Sequence, residues 1–168
     1  MRDPSSPAPV LIAEAAADGP AVEALIDRAF GPGRYAKAAE RLREGRAPLR
    51  DLSFVALADG EIVGCVRLYS IVIGATPALL LGPFAVEQSH RGRGLGADLI
   101  GRACAAAETA DHAVVLLVGD EAFFAPLGFA AAPARALIMP GPVDQRRVLL
   151  RALKPGAADG LSGRVRAH

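Results

Sequence analysis

The residues of this chain that are spaced for chemistry lie in one run, Arg91-Gly92-Arg93-Gly94-Leu95-Gly96-Ala97. Its two arginines bring permanent positive charge. Its three glycines let the main chain approach a ligand closely and adopt angles that side chains forbid. The run opens a helical pattern, with Leu95, Leu99, Ala103 and Ala107 on one stripe. The first N–H groups of a helix have no partner within it, and the helix dipole adds partial positive charge there. Together these features make an anion site, for which a pyrophosphate is a natural guest. Two other phosphate loops fit poorly. A P-loop ends Gly-Lys-Ser/Thr, whereas this run continues Gly96-Ala97-Asp98. A dinucleotide fingerprint starting at Gly94 wants Gly or Ala at position 99, which is Leu99, and opens the first βαβ unit of a chain. On the loop alone, glycines that merely shape a turn beside solvated arginines stand as the alternative.

Other reactive residues are sparse. Cys65 and Cys104 sit in apolar contexts, and the only histidines are His90, His112 and His168. Without metal spacing, two buried reduced thiols are expected rather than a Cys–His nucleophile, and no metal site is expected. The net charge of +1 gives no bulk attraction to nucleic acid or to an anionic membrane. The N-terminus has Arg2 and Asp3 followed by Pro4, Pro7 and Pro9, which does not read as a signal peptide. Apolar stretches such as Ala78 to Leu81 are too short to span a bilayer. A cytoplasmic location is the expectation.

The elements that must position the loop can be read around it. The 168 residues fit one domain, large enough to bury roughly two-thirds of its unfolded surface. Residues 1–9 read as a flexible arm, 10–153 as the domain and 154–168 as a tail over the surface. Val10 to Ala13 is a first strand. Asp18-Gly19-Pro20 starts a helix over Ala21 to Phe30, and Lys37 to Glu44 reads as a second helix. Asp59-Gly60 joins strands Leu52 to Ala58 and Glu61 to Ile73 as a hairpin. Ala78 to Val86 is nearly all apolar, as in a central strand buried on both faces. Pro83 removes a ladder donor from it, so the strand should bulge or splay there. Beyond the phosphate loop come a helix over Ala97 to Glu108, a strand over Ala113 to Val118 and a short helix over Glu121 to Leu127. Weaker strand signals follow near Ala136 to Met139 and Arg147 to Leu153. The order predicts a mixed α/β domain, a sheet with helices on its faces.

Arg91-x-x-Gly94-x-Gly96 after Phe84-Ala85-Val86 resembles the acetyl-CoA signature of the GNAT N-acetyltransferase superfamily. The run Leu117-Val118-Gly119-Asp120-Glu121-Ala122-Phe123-Phe124-Ala125-Pro126-Leu127-Gly128-Phe129 is similar to that family's strand, short helix and closing Gly-Phe. Leu81-Gly82-Pro83 with Gly119-Asp120, Phe30-Gly31-Pro32-Gly33 and Leu42-Arg43-Glu44-Gly45 resemble its YhbS-like bacterial branch. The resemblance covers residues 10 to 153. It implies a GNAT acyl-CoA N-acyltransferase fold, whose mixed, mostly antiparallel sheet splays into a V-shaped cleft beside Val86, with helices on both faces.

The same resemblance implies roles. The main chain of Phe84, Ala85 and Val86 would pair with the pantetheine arm of acetyl-CoA, the cosubstrate. The amides of Arg91, Gly92, Arg93, Gly94, Leu95, Gly96 and Ala97 would hold its pyrophosphate. Val86 N–H would stabilise the oxyanion, and Phe123 and Phe124 would line the arm. The family often has a tyrosine as acid for the departing thiolate at the position of Phe124, which has no proton to give, so that acid is in doubt here; a core aromatic is the other reading of Phe124. Asp120 is the candidate base, or else a helix cap. Glu87 and His90 read as solvated loop residues.

The implied activity is acetyl transfer from acetyl-CoA to an acceptor amine by direct attack. The contrasting reading is a non-catalytic acyl-CoA-binding module that has lost the acid. The acceptor, a small molecule or a peptide, is not legible. Arg34, Arg41, Arg43 and Arg46 read either as a greeting for an acidic substrate or as a solvated helix face. Homodimers are common among such enzymes, and nothing in this sequence requires one.

Overall fold

A computed structural model describes residues 7–168. Residues 1–6 of the expected arm lie outside the described residues, and Pro7, Ala8 and Pro9 have no regular structure. Among the described residues there are eight strands, β1 (Val10–Ala13), β2 (Phe54–Ala58), β3 (Glu61–Ile73), β4 (Thr76–Val86), β5 (Val114–Val118), β6 (Leu137–Ile138), β7 (Val148–Ala152) and β8 (Gly163–Ala167). The helices are α1 (Gly19–Phe30), α2 (Ala38–Arg41), α3 (Leu95–Thr109) and α4 (Glu121–Phe124). The sheet runs β1-β2-β3-β4-β5-β7, and β8 pairs with both β3 and β6. Only the β4–β5 and β6–β8 pairings are parallel.

The β2–β3 hairpin turns at Asp59-Gly60, where both residues have positive φ (51° and 79°). A two-residue turn of the primed type requires that geometry. Alternation along the strands then sorts two faces. Phe54, Ala56, Val66 and Leu68 pack under α3 with Leu99, Ile100 and Ala103. Val55, Cys65 and Ala85 pack under α1 with Val22, Leu25 and Ile26. The helices thus cover both faces, as expected.

Pro83 deforms β4. Val66 pairs with Phe84 but Leu68 pairs with Leu81, so Gly82 and Pro83 together oppose Arg67 as a bulge. The parallel pairing of β4 with β5 covers only Leu79↔Val115 and Leu80↔Leu116. Beyond those residues the two strands run on unpaired, and the sheet opens into a V.

Two segments differ from expectation. The second helix is a single turn, Ala38–Arg41. After it, Leu42 N–H donates to Ala39 O and Arg43 N–H to Glu40 O, and these i→i+3 bonds tighten the chain into turns ending at Gly45 (φ +68°). The residues read as a surface tail contain β8, in which Val165, Arg166 and Ala167 pair with Ile73, Val72 and Ile71. β2 flanks only the first half of β3, so the second half offers free main-chain groups that this segment satisfies.

Candidate functional site

The V opens onto a cavity of about 820 Å³, walled by β4, the loop after it, the start of α3, the end of β5 and α4. Ladder parity decides which way the β4 main chain points. Glu87 N–H donates to Val63 O at 2.8 Å, so 63 and 87 form a hydrogen-bonded pair, and such pairs alternate along an antiparallel ladder. Phe84 and Val86 oppose Val66 and Gly64 at the intervening positions. Their N–H and C=O groups therefore face away from β3 and into the cleft. The Val86 carbonyl is occupied: Arg91 Nε donates to it at 2.8 Å. Arg91 thereby ties the loop to the end of β4, while Arg93 is exposed and does not line the cavity.

Gly92 and Gly94 have φ of +75° and +81°, in the left-handed region that glycine adopts without a side-chain clash. Gly94 caps α3 without any side-chain hydrogen bond, and the first helical bond is Asp98 N–H to Gly94 O at 3.0 Å. The N–H groups of Leu95, Gly96 and Ala97 are thus left free at the cavity wall, where a helix attracts anions. Gly96 is glycine for a separate reason. A Cβ there would stand 2.9 Å from the Phe84 ring.

Phe84 leads into an aromatic wall. Phe123 and Phe124 pack edge to face with centroids 4.8 Å apart, and Phe84 lies 6.3 Å from each. Phe123 is 48% exposed and Phe124 9%. Phe124 therefore joins the core, packing on Phe129 at 6.0 Å, while also lining the cavity. Asp120 caps α4, accepting from Ala122 N–H at 3.2 Å, and it too lines the cavity. His90, read as a solvated loop residue, is buried, with Nδ1 3.0 Å from Ser89 Oγ. Glu87 accepts from Arg28 at 2.9 Å at the surface.

A family model for the acetyltransferase (GNAT) domain matches residues 50–131, the segment that carries β2 to β5, the glycine-rich loop and α4. The crystal structure of the GNAT family N-acetyltransferase YhbS from Escherichia coli, in complex with CoA, is similar with a TM-score of 0.82 and 26% identity, covering 100% of this chain and 93% of that one. The chain carries a GNAT acetyltransferase domain. In sequence, this GNAT domain is 28% identical to the uncharacterized N-acetyltransferase YhbS of E. coli over 154 residues, 90% of the chain and 91% of that protein. It also shares its fold with a GNAT family acetyltransferase from Brucella melitensis in complex with acetyl-CoA (TM-score 0.70, 23% identity, 95% and 96% covered).

Beside the cleft, the GNAT domain has a second cavity of about 330 Å³, lined by Glu23, Arg43, Tyr69 and Pro83 among others. Its floor is an ion-pair network. Arg67, opposite the bulge, donates to Glu14 (2.7 and 2.9 Å) and to Glu23 (2.5 Å). Arg34 donates to Glu23 (2.7 Å), Asp27 (3.0 Å) and the Tyr35 hydroxyl (2.7 Å). Burial opposes the charge on Arg67 and Arg34, but their carboxylate partners outweigh it and hold both guanidiniums above the usual arginine range. Burial likewise works to raise Glu23, yet the hydrogen bonds from Arg34 and Arg67 hold it below the ordinary carboxylate value. Arg34 is 4% exposed and the Arg43 side chain 10%, so neither belongs to a solvated helix face. Sequence reasoning passed over Glu14, Glu23, Arg67 and Tyr69. A charged Arg67 amid the apolar strand run Ile62-Val63-Gly64-Cys65-Val66-Arg67-Leu68 was the available signal.

Proposed function

We propose that this chain is an acetyl-CoA-dependent N-acetyltransferase in which an acceptor amine attacks the thioester directly. The observation that carries the reading is one groove holding both an uncapped helix start and cleft-facing main chain at Phe84 and Val86. These fit the two chemically different parts of the cosubstrate. The amides from Gly92 to Ala97 would take the pyrophosphate. The main chain of Phe84 to Val86 would meet the amide-bearing arm as an added strand, with Phe123 and Phe124 against its apolar side.

Val86 N–H would donate to the charge developing on the thioester oxygen, with Phe84 N–H, one pleat further toward the bulge, aimed the same way. Donors fixed in a partly dry site need no reorganisation during reaction. Phe124 cannot protonate the departing thiolate. A thiol of pKa ~8.5 leaves tolerably unaided, and general-acid help is worth at most about 10²–10⁴-fold. A primary amine of pKa ~10.4 is free base in only about one part in a few thousand at pH 7. Asp120 would draw off its proton, through water, with the oxygen that Ala122 N–H does not occupy. Among the described residues no helix is long and apolar enough to cross a membrane, and the reading keeps the cytoplasmic placement expected from the sequence.

The absence of an acid at Phe124 supports a second reading, an acyl-CoA-binding module without turnover. Free-thiol release from acetyl-CoA with a broad amine panel, beside calorimetric titration of CoA, separates the two. Turnover with any acceptor is expected. Tight CoA binding with no turnover would favour the module, and no CoA affinity at low salt would sink both.

A further inference from the structure

The coenzyme cleft and the smaller cavity share a wall made of Arg34, Arg43 and Pro83. Both arginine side chains are nine-tenths buried or more, at 5% and 10% exposed. Each is gripped from behind. Asp27 and Glu23 hold Nε and Nη2 of Arg34, and Glu40 holds Nε and Nη2 of Arg43. Their Nη1 groups receive no such partner, yet among the described residues no buried side-chain nitrogen or oxygen lacks one. Both Nη1 groups therefore reach open space, and both residues line both cavities. Arg43 Nη1 stands beside the bulge, 3.5 Å from where a Cβ on Gly82 would lie. The two cations are close enough for Arg34 to disfavour charge on Arg43, which burial already lowers. Two guanidiniums held together against desolvation and mutual repulsion form a receptor for negative charge.

The coenzyme does not supply that charge. In the proposed binding mode its pyrophosphate would lie at Gly92 to Ala97, beyond the Phe84–Val86 stretch, and its arm and acetyl group are neutral. We infer that Arg34 and Arg43 bind an anionic group, a carboxylate or a phosphate, on the acceptor, whose amine lies toward the thioester. This rests on the acetyltransferase reading of the cleft. The cavity of about 330 Å³ has room for that charged end of the acceptor.

Matched amines test the inference: β-alanine against β-alaninamide, and phosphoethanolamine against ethanolamine. The wild-type protein is expected to acetylate an anionic member with kcat/KM about 10- to 100-fold above its neutral partner, as for charge-assisted hydrogen bonds. The pair that shows the larger ratio identifies carboxylate or phosphate. Arg43→Gln is expected to bring the ratio within about threefold of unity, mainly through KM. Equal use of neutral and anionic members by the wild type overturns the proposal, and that comparison stands even if the variant fails to fold. Should no member turn over, calorimetric titration of each into CoA-saturated protein decides. Binding of an anionic member that Arg43→Gln loses supports the proposal, and equal or absent binding overturns it. Titration with CoA alone judges the coenzyme site separately: absent CoA affinity would sink the acetyltransferase reading, whereas a failed amine comparison with CoA affinity intact overturns only this inference.

Discussion

Replacing Gly94 by alanine isolates the conformational demand of the glycine-rich loop before α3. Gly94 has φ +81°, and a Cβ added there meets nothing within 4 Å. No steric clash confuses the result, so the cost is that of holding an L-residue in the left-handed region, about 1–2 kcal/mol. Where it appears depends on the free protein. If the loop keeps its shape, folding stability falls, and Tm drops roughly 2–4 °C per kcal/mol for a chain of this size. If the loop relaxes when empty, the cost returns on binding, and CoA affinity falls about 5- to 30-fold at 1.36 kcal/mol per decade. Calorimetric titration with CoA and thermal unfolding of the same sample read both outcomes. Gly101→Ala is the control. It lies inside α3 with nothing within 4 Å and no positive φ, so it should stabilise by about 1 kcal/mol and leave CoA binding alone. Wild-type Tm together with wild-type CoA affinity in Gly94→Ala would refute the reasoning.

Glu14→Ala leaves Arg67 buried with only Glu23, which should cost about 3–5 kcal/mol or roughly 6–20 °C in Tm. The double change Glu14→Leu, Arg67→Met should recover most of it, and a Glu14→Ala loss under 1 kcal/mol, on the order of a surface pair, would contradict the network's role. Because Glu23 is held below 4.5 when folded, it stabilises the fold above that pH and ceases to as pH falls through its lowered value. Urea midpoints between pH 6 and 3 should therefore fall less steeply for Glu23→Gln than for wild type, and parallel profiles would count against the assignment. Burial pushes the Cys65 thiol up to about 12 and raises Cys104 as well. Iodoacetamide at pH 8 should thus label neither in the native protein and both in urea, whereas rapid native labelling of Cys65 would show that α1 does not cover it.

The local devices of this protein were legible in its sequence because each depends on a few adjacent residues. Asp59-Gly60 makes its turn by accepting positive φ, Pro83 breaks the ladder because it has no N–H, and the Gly92–Gly96 run frees the start of α3. Pro83 and the glycine run also line the cleft. The ion-pair floor was not legible. Glu14, Glu23, Arg34 and Arg67 lie far apart in the chain, and only the sheet register and the placing of α1 over Cys65 and Ala85 bring them to one point. The same holds for β8. Its Gly- and Arg-containing segment has little strand character of its own, and becomes a strand because the second half of β3 leaves main-chain groups to be paired. Charge at a distance and main-chain pairing at an edge are satisfied only once the chain has closed on itself, so tertiary structure alone decided what stands beside the cleft.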